Sequence, residues 1–233
     1  MPKHPPPGPP FAADPTASPA LQRGVREALA AWPTGTARRL RLLAAQNPRS
    51  ALVRFELGLA LALAGQPADA NRSWRNAERV QPDSPSAVRA EDALHAEAPP
   101  GKPPFVAAFA RPRTRGQRLL ARGIAFQAAL RPVSAERAFA AAARITPDDP
   151  EAQVAAAVGL YEKDRPAAAF SRVGPLVRRF PHAQTVRFHL GLLLIYLRQF
   201  PQARKELALA VADGPRTPLG KRARTLLNAS RNA

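Results

Sequence analysis

Residues 51–84 read ALVRFELGLALALAGQPADANRSWRNAERVQPDS, and this stretch decides the fold. Its first half is apolar nearly throughout, with Leu57-Gly58 and Leu61 a helical turn apart, and it closes at Gly65. Pro67 opens a second half in which Ala70, Trp74 and Ala77 recur at i, i+4 and i+7, the spacing of one helix face. Pro82 then ends the periodic stretch, because proline neither donates an N–H to a helix nor lets the residue before it stay helical. The reading is two helices joined by a tight turn.

The same pattern returns at a 34-residue interval. The stretch from Gln184 carries Leu190-Gly191, Leu194, Ala203, Leu207, Ala210 and Pro215, and the one from Gly116 carries Gly123, Phe126, Ala135, Phe139, Ala142 and Pro147. A weaker copy from Pro150 keeps the sizes with Ala157, Leu160, Ala169, Val173, Leu176 and Pro181. A degenerate one spans 17–50, with Gly24, Leu40, Leu43 and Pro48, split by Trp32-Pro33-Thr34-Gly35. Each position has a physical reason. Gly58, Gly123, Ala157 and Gly191 let a neighbouring helix approach closely, Ala70, Ala135, Ala169 and Ala203 do the same on the second helix, and Trp74, Phe139, Val173 and Leu207 fill the space beside those gaps. Two departures predict looser or kinked pairs: Arg122 stands where leucine is wanted, and Gly174-Pro175 interrupts a second helix.

This pattern resembles the tetratricopeptide repeat over roughly residues 17–217, with one interruption. The resemblance implies an all-α fold, an α-α superhelix in which stacked pairs present a curved inner face lined by first helices. It places inward positions four and eight residues after each start: Phe55 and Leu59, Leu120 and Ile124, Val154 and Val158, Phe188 and Leu192. The basic and amide residues with which such proteins grip a C-terminal carboxylate are missing there, and an apolar groove suits an amphipathic helix or an extended apolar segment. The alternative is a groove closed by packing or filled by the chain's own Phe105, Val106 and Phe109.

The remaining segments set the boundaries. Residues 1–16, with Pro5-Pro6-Pro7 and Pro9-Pro10, read as a disordered proline-rich tail. Residues 17–98 form an N-terminal block ending in an orphan helix after Pro85, and 99–115, opening on Pro99-Pro100-Gly101-Lys102-Pro103-Pro104, form a basic linker. Three repeats follow over 116–217, and 218–233 supply a capping helix and tail.

Charge and chemistry narrow the function. The chain has 35 basic against 17 acidic residues, a net charge of +18, and no cysteine, so disulfide, thiolate-metal and cysteine-nucleophile chemistry are excluded. His4, His95, His182 and His189 are scattered without metal-ligand spacing, and no cofactor, metal or catalytic site is expected. The N-terminus lacks the apolar run of a secretory signal and the longest apolar stretch, 190–197, is too short to span a bilayer, so a cytoplasmic protein without membrane insertion is expected. No acid occurs between Ala98 and Ala135, where Arg111, Arg113, Arg115 and Arg118 accumulate and offer contacts to phosphates. The expectation is a non-catalytic scaffold or adaptor holding a protein or peptide, with a basic accessory protein of nucleic acid or ribosomes as the alternative.

Overall fold

The computed structural model describes residues 7–230, and among them finds twelve α-helices and no strand. In chain order these are α1 (Pro19–Leu29), α2 (Thr36–Gln46), α3 (Ala51–Leu63), α4 (Pro67–Val80), α5 (Pro85–Leu94), α6 (Arg115–Ala128), α7 (Pro132–Ile145), α8 (Pro150–Gly159), α9 (Ala167–Arg179), α10 (Gln184–Tyr196), α11 (Phe200–Asp213) and α12 (Pro218–Ala229). Their starts follow from local chemistry. Ser18, Ser50, Ser84, Thr114, Asp149 and Thr217 each accept a backbone N–H of the helix they open, a contribution of about 1 kcal/mol apiece. Second helices α4 and α7 open instead on Pro67 and Pro132, where a missing N–H costs nothing.

The chain divides into two compact units, residues 1–97 and 98–233. In the first, α1 pairs with α2 and α3 with α4, and α5 closes against α4 and α3. In the second, α6 pairs with α7, α8 with α9 and α10 with α11, and α12 closes against α11 and α10. Within each unit first helices touch one another, α1 to α3 to α5 and α6 to α8 to α10 to α12, whereas α2 and α4, or α7, α9 and α11, make no substantial mutual contact. The first helices therefore form a continuous inner layer in each unit. The closing helices keep the register: Pro85 follows Ala51, and Pro218 follows Gln184, by the 34-residue interval. The orphan and capping helices of the sequence reading are thus first helices of the same template.

Packing confirms the notches. A Cβ on Gly58 would collide with the Trp74 indole, one on Gly123 with the Phe139 ring, and one on Gly191 with the Leu207 side chain. Ala70, Ala135, Ala169 and Ala203 are buried at the facing positions. The fourth pair departs differently from expectation. α9 runs through Pro175 without ending, while α8 stops early at Gly159 and leaves 160–166 irregular. Tyr161 in that irregular span is buried, its ring edge-on to Tyr196 at 5.6 Å.

The proline-rich segments differ most from their reading. Residues 1–6 of the expected tail lie outside the described residues, but Pro9 and Asp14 are buried, and Phe11 and Ala12 pack on the core of the first unit. In the expected linker, Pro103 and Phe105 are buried in the second unit. Proline makes this ordering cheap, since a chain already confined to an extended conformation loses little entropy when it docks.

Candidate functional site

The inner face of each unit carries an extended segment of its own chain. In the first unit the Ala12 N–H donates to Glu56 Oε1 at 3.0 Å, the Arg89 guanidinium donates to the Ala13 carbonyl at 2.8 Å, and Asp14 Oδ2 accepts the Ser86 N–H at 3.1 Å. Glu56 belongs to α3, and Ser86 and Arg89 to α5, both first helices. The Arg26 guanidinium of α1 lies 4.9 Å from the centroid of the Phe11 ring.

In the second unit the Phe105 N–H donates to Gln127 Oε1 of α6 and the Val106 N–H to His189 Nε2 of α10, both at 2.9 Å. The Ala108 N–H reaches Glu151 of α8, and Lys102 Nζ donates to the Tyr161 carbonyl at 2.9 Å. The Phe105 ring stacks on the His189 imidazole, centroids 4.9 Å apart, and meets Phe139 edge-on at 5.5 Å. His189 Nδ1 lies 2.7 Å from the Thr185 carbonyl, which only a protonated Nδ1 satisfies, so Nε2 is free to accept.

Electrostatics follow burial. Enclosure pushes His189 down to about 4 against the pull of its Thr185 hydrogen bond, so the ring is neutral at physiological pH. Enclosure raises Glu56 to about 7, opposed by the Ala12 N–H and the Arg89 charge. Glu151 is also raised, by burial first, with its Ala108 hydrogen bond working against the shift. In the first unit Glu56 Oε2 and Ser86 Oγ are buried with no hydrogen-bond partner among the described residues.

The expected groove positions are largely covered. Phe55, Leu120, Val154, Val158, Phe188 and Leu192 are buried, while Leu59 and Ile124 are half-buried. Phe105 shares a core cluster with Leu120, Val154 and Val158, Phe109 and Ile124 lean on that cluster, and Val106 packs against the one that contains Phe188 and Leu192. Phe11 and Ala12 join Phe55 in the first unit, with Leu59 packed alongside.

The structure divides the four arginines singled out in the sequence. Arg111, Arg113, Arg115 and Arg118 are all exposed. Arg115 and Arg118 line a cleft of about 350 Å³ together with Arg122 and Arg144, on Leu119, Ala141 and Ile145, and no acid lines it. Arg111 and Arg113 stand outside it. Arg122 was legible as the next residue on the helix face of Arg115 and Arg118; Arg144 was not, because only the α6–α7 pairing brings it there.

Among the described residues no group of His, Asp and Glu is placed to hold a metal, and no helix is long and apolar enough to cross a membrane.

No protein-family model and no curated protein matches the chain. Solved structures of similar fold include YrrB, a TPR protein with an unusual peptide-binding site, at 14% identity and TM-score 0.38, covering 88% of each chain. The MamA RS-1 ArsTM double mutant matches at 15% identity and TM-score 0.32 over 83% of this chain and 90% of its own. The APC/C hetero-tetramer Cut9-Hcn1 matches at 12% identity and TM-score 0.38, over 90% of this chain but 42% of its own. What the helices themselves establish is an all-α array of helix pairs, notched at Gly58, Gly123 and Gly191.

Proposed function

We propose that the protein is a non-catalytic scaffold that holds an extended segment of a protein or peptide partner along the inner layer of first helices. The observation that carries this reading is that both inner layers already bind extended chain, by backbone hydrogen bonds at Ala12 and Val106 and by seating a phenylalanine. A surface that satisfies the N–H of its own extended segment offers the same acceptors to another. Partners captured on the full chain are the test, compared with Leu59→Arg and Ile124→Arg, which alter half-buried inner positions. The expected result is loss of a partner with helical content intact by circular dichroism. Retention of every partner by both variants overturns the inner-face route.

A second reading rests on the arginine cleft of α6 and α7. Four guanidinium groups converge there without a lining acid, an arrangement suited to the phosphates of nucleic acid or ribosomal RNA. Binding of a labelled RNA that weakens steeply with salt and drops at least fivefold in Arg118→Ala/Arg144→Ala is the expected outcome. Equal binding by that variant removes the cleft from consideration.

A further inference from the structure

The two segments on the inner faces have the same sequence plan. One is Pro6-Pro7-Gly8-Pro9-Pro10-Phe11-Ala12-Ala13 and the other Pro99-Pro100-Gly101-Lys102-Pro103-Pro104-Phe105-Val106-Ala107, so each runs Pro-Pro-Phe, a small or branched aliphatic residue, then Ala. The likeness extends to the contacts. In both, the first proline of the Pro-Pro-Phe is buried, the second is exposed, and the phenylalanine is packed inward. The residue after the phenylalanine then gives its N–H to a fully buried polar side chain, Ala12 to Glu56 and Val106 to His189. Those acceptors hold the same place in the repeat, since Glu56 precedes Leu57-Gly58 as His189 precedes Leu190-Gly191. Two faces with different sequences have thus come to one ligand chemistry.

They differ in how well it is satisfied. In the second unit both ring nitrogens of His189 are bonded and Phe105 is buried. In the first unit Phe11 is only half-buried, and Glu56 Oε2 and Ser86 Oγ are buried beside the segment without a partner among the described residues. Two orphaned polar atoms at one face are costly, and the alanines at 12 and 13 bring no side chain that reaches them. A hydroxyl at position 12, whose N–H Glu56 already accepts, would suit the carboxyl group in either state, because it donates to the carboxylate when Glu56 is ionised and accepts from it when it is protonated. A second copy of this chain brings the same alanines and gains nothing over the tethered segment, which has the advantage of high effective concentration.

We propose that the inner face of the first unit is the docking site for an extended Pro-Pro-Phe-Ser or Pro-Pro-Phe-Thr segment of a partner protein, and that residues 7–16 occupy it in cis until such a segment replaces them. This rests on the inner-face reading above and specifies its ligand.

Two fluorescein-labelled peptides test it, one with the sequence of residues 6–16 and one identical except for A12S, titrated by anisotropy onto the full-length protein and its Phe11→Ala variant. The A12S peptide should bind at least tenfold more tightly than the parent peptide. Both should bind the Phe11→Ala protein more tightly than wild type, and Glu56→Leu should erase the difference between them. Ala12→Ser in the protein itself should raise its unfolding midpoint and weaken binding of either peptide. Equal affinities, absent binding to a helical Phe11→Ala protein, or no gain in stability from Ala12→Ser overturns the proposal. So does a concentration-dependent dimer by size-exclusion chromatography in which the segments exchange, which assigns the face to a second copy. If the peptides fail while Leu59→Arg still releases a captured partner, the inner-face reading stands and only the ligand assigned here is wrong.

Discussion

Gly58 leaves empty the space into which Trp74 puts its indole: a Cβ there would overlap Nε1, Cδ1 and Cε2 of the ring. The indole has nowhere to retreat, because Nε1 donates to the Phe55 carbonyl at 3.2 Å and the ring lies in the core of the first unit. Gly58→Ala returns about 1 kcal/mol of helix propensity but forces an overpacking that costs about 3 kcal/mol in such a site. The net expectation is a loss of about 2 kcal/mol, read as a lower urea midpoint. An unchanged or higher midpoint means the helices part more easily than their contacts imply.

The turn between the paired helices imposes a left-handed residue at a fixed step. Gly65 has φ +75°, and Leu130 and Arg198, at the same offset from their unit starts, have φ 54° and 58°. Nothing lies within 4 Å of a Cβ placed on Gly65, so Gly65→Ala reports backbone strain alone and should cost about 1 kcal/mol. Arg198→Gly should change stability in the opposite direction by a similar amount, less what its own side chain contributes. Thermal unfolding of the two variants, one falling and one rising by a few degrees, checks the pair; the same sign in both contradicts the turn geometry.

Pro175 lies exposed inside α9, where its ring crowds the Ser171 carbonyl and deprives it of an N–H. Pro175→Ala restores the donor and should stabilise the second unit by about 1–2 kcal/mol, allowing for the extra freedom alanine gives the unfolded chain. A loss of stability would show that α9 depends on the bend.

These elements also mark what the sequence made legible. Notches, fillers and stopping prolines could be read because each is a residue type that admits few alternatives: glycine at 58, 123 and 191 faces the large residues at 74, 139 and 207 as its spacing implies. The inner positions were legible from the same register, and Phe105, Val106 and Phe109 were readable as one way to fill the second unit's face, whereas the segment around Phe11 was read only as a tail. Pro99 to Pro104 has the composition of a linker whether it floats or docks, and docking is decided by Gln127, Glu151 and His189, which stand on three separate helices. A lone His189 or Glu56 carries no pattern. The repeated Pro-Pro-Phe was the one signal in the sequence that tied both segments to the repeats, and it shows only when the two are aligned with each other.

Glu56 and His189, the paired acceptors, should contribute to stability with opposite pH dependence. His189 is depressed to about 4 from 6.5, so between those values the unfolded chain binds a proton that the folded unit refuses. Its contribution is complete above 6.5 and is lost as pH falls toward 4, when protonation of Nε2 also removes the acceptor for Val106. Glu56 is raised from 4.5 to about 7, so the folded first unit keeps a proton that the unfolded chain gives up. Its contribution is complete below 4.5 and is lost as pH rises to about 7. Each effect is on the order of 3 kcal/mol at full extent. Their contributions run in opposite directions between pH 4.5 and 6.5. Removing one should expose the other: His189→Gln should leave a midpoint that falls as pH rises from 4.5 to 7, and Glu56→Gln one that falls as pH drops from 6.5 to 4. Urea midpoints at half-unit steps across that range separate the outcomes. If both variants keep the wild-type profile, neither side chain is enclosed by its Pro-Pro-Phe segment in solution.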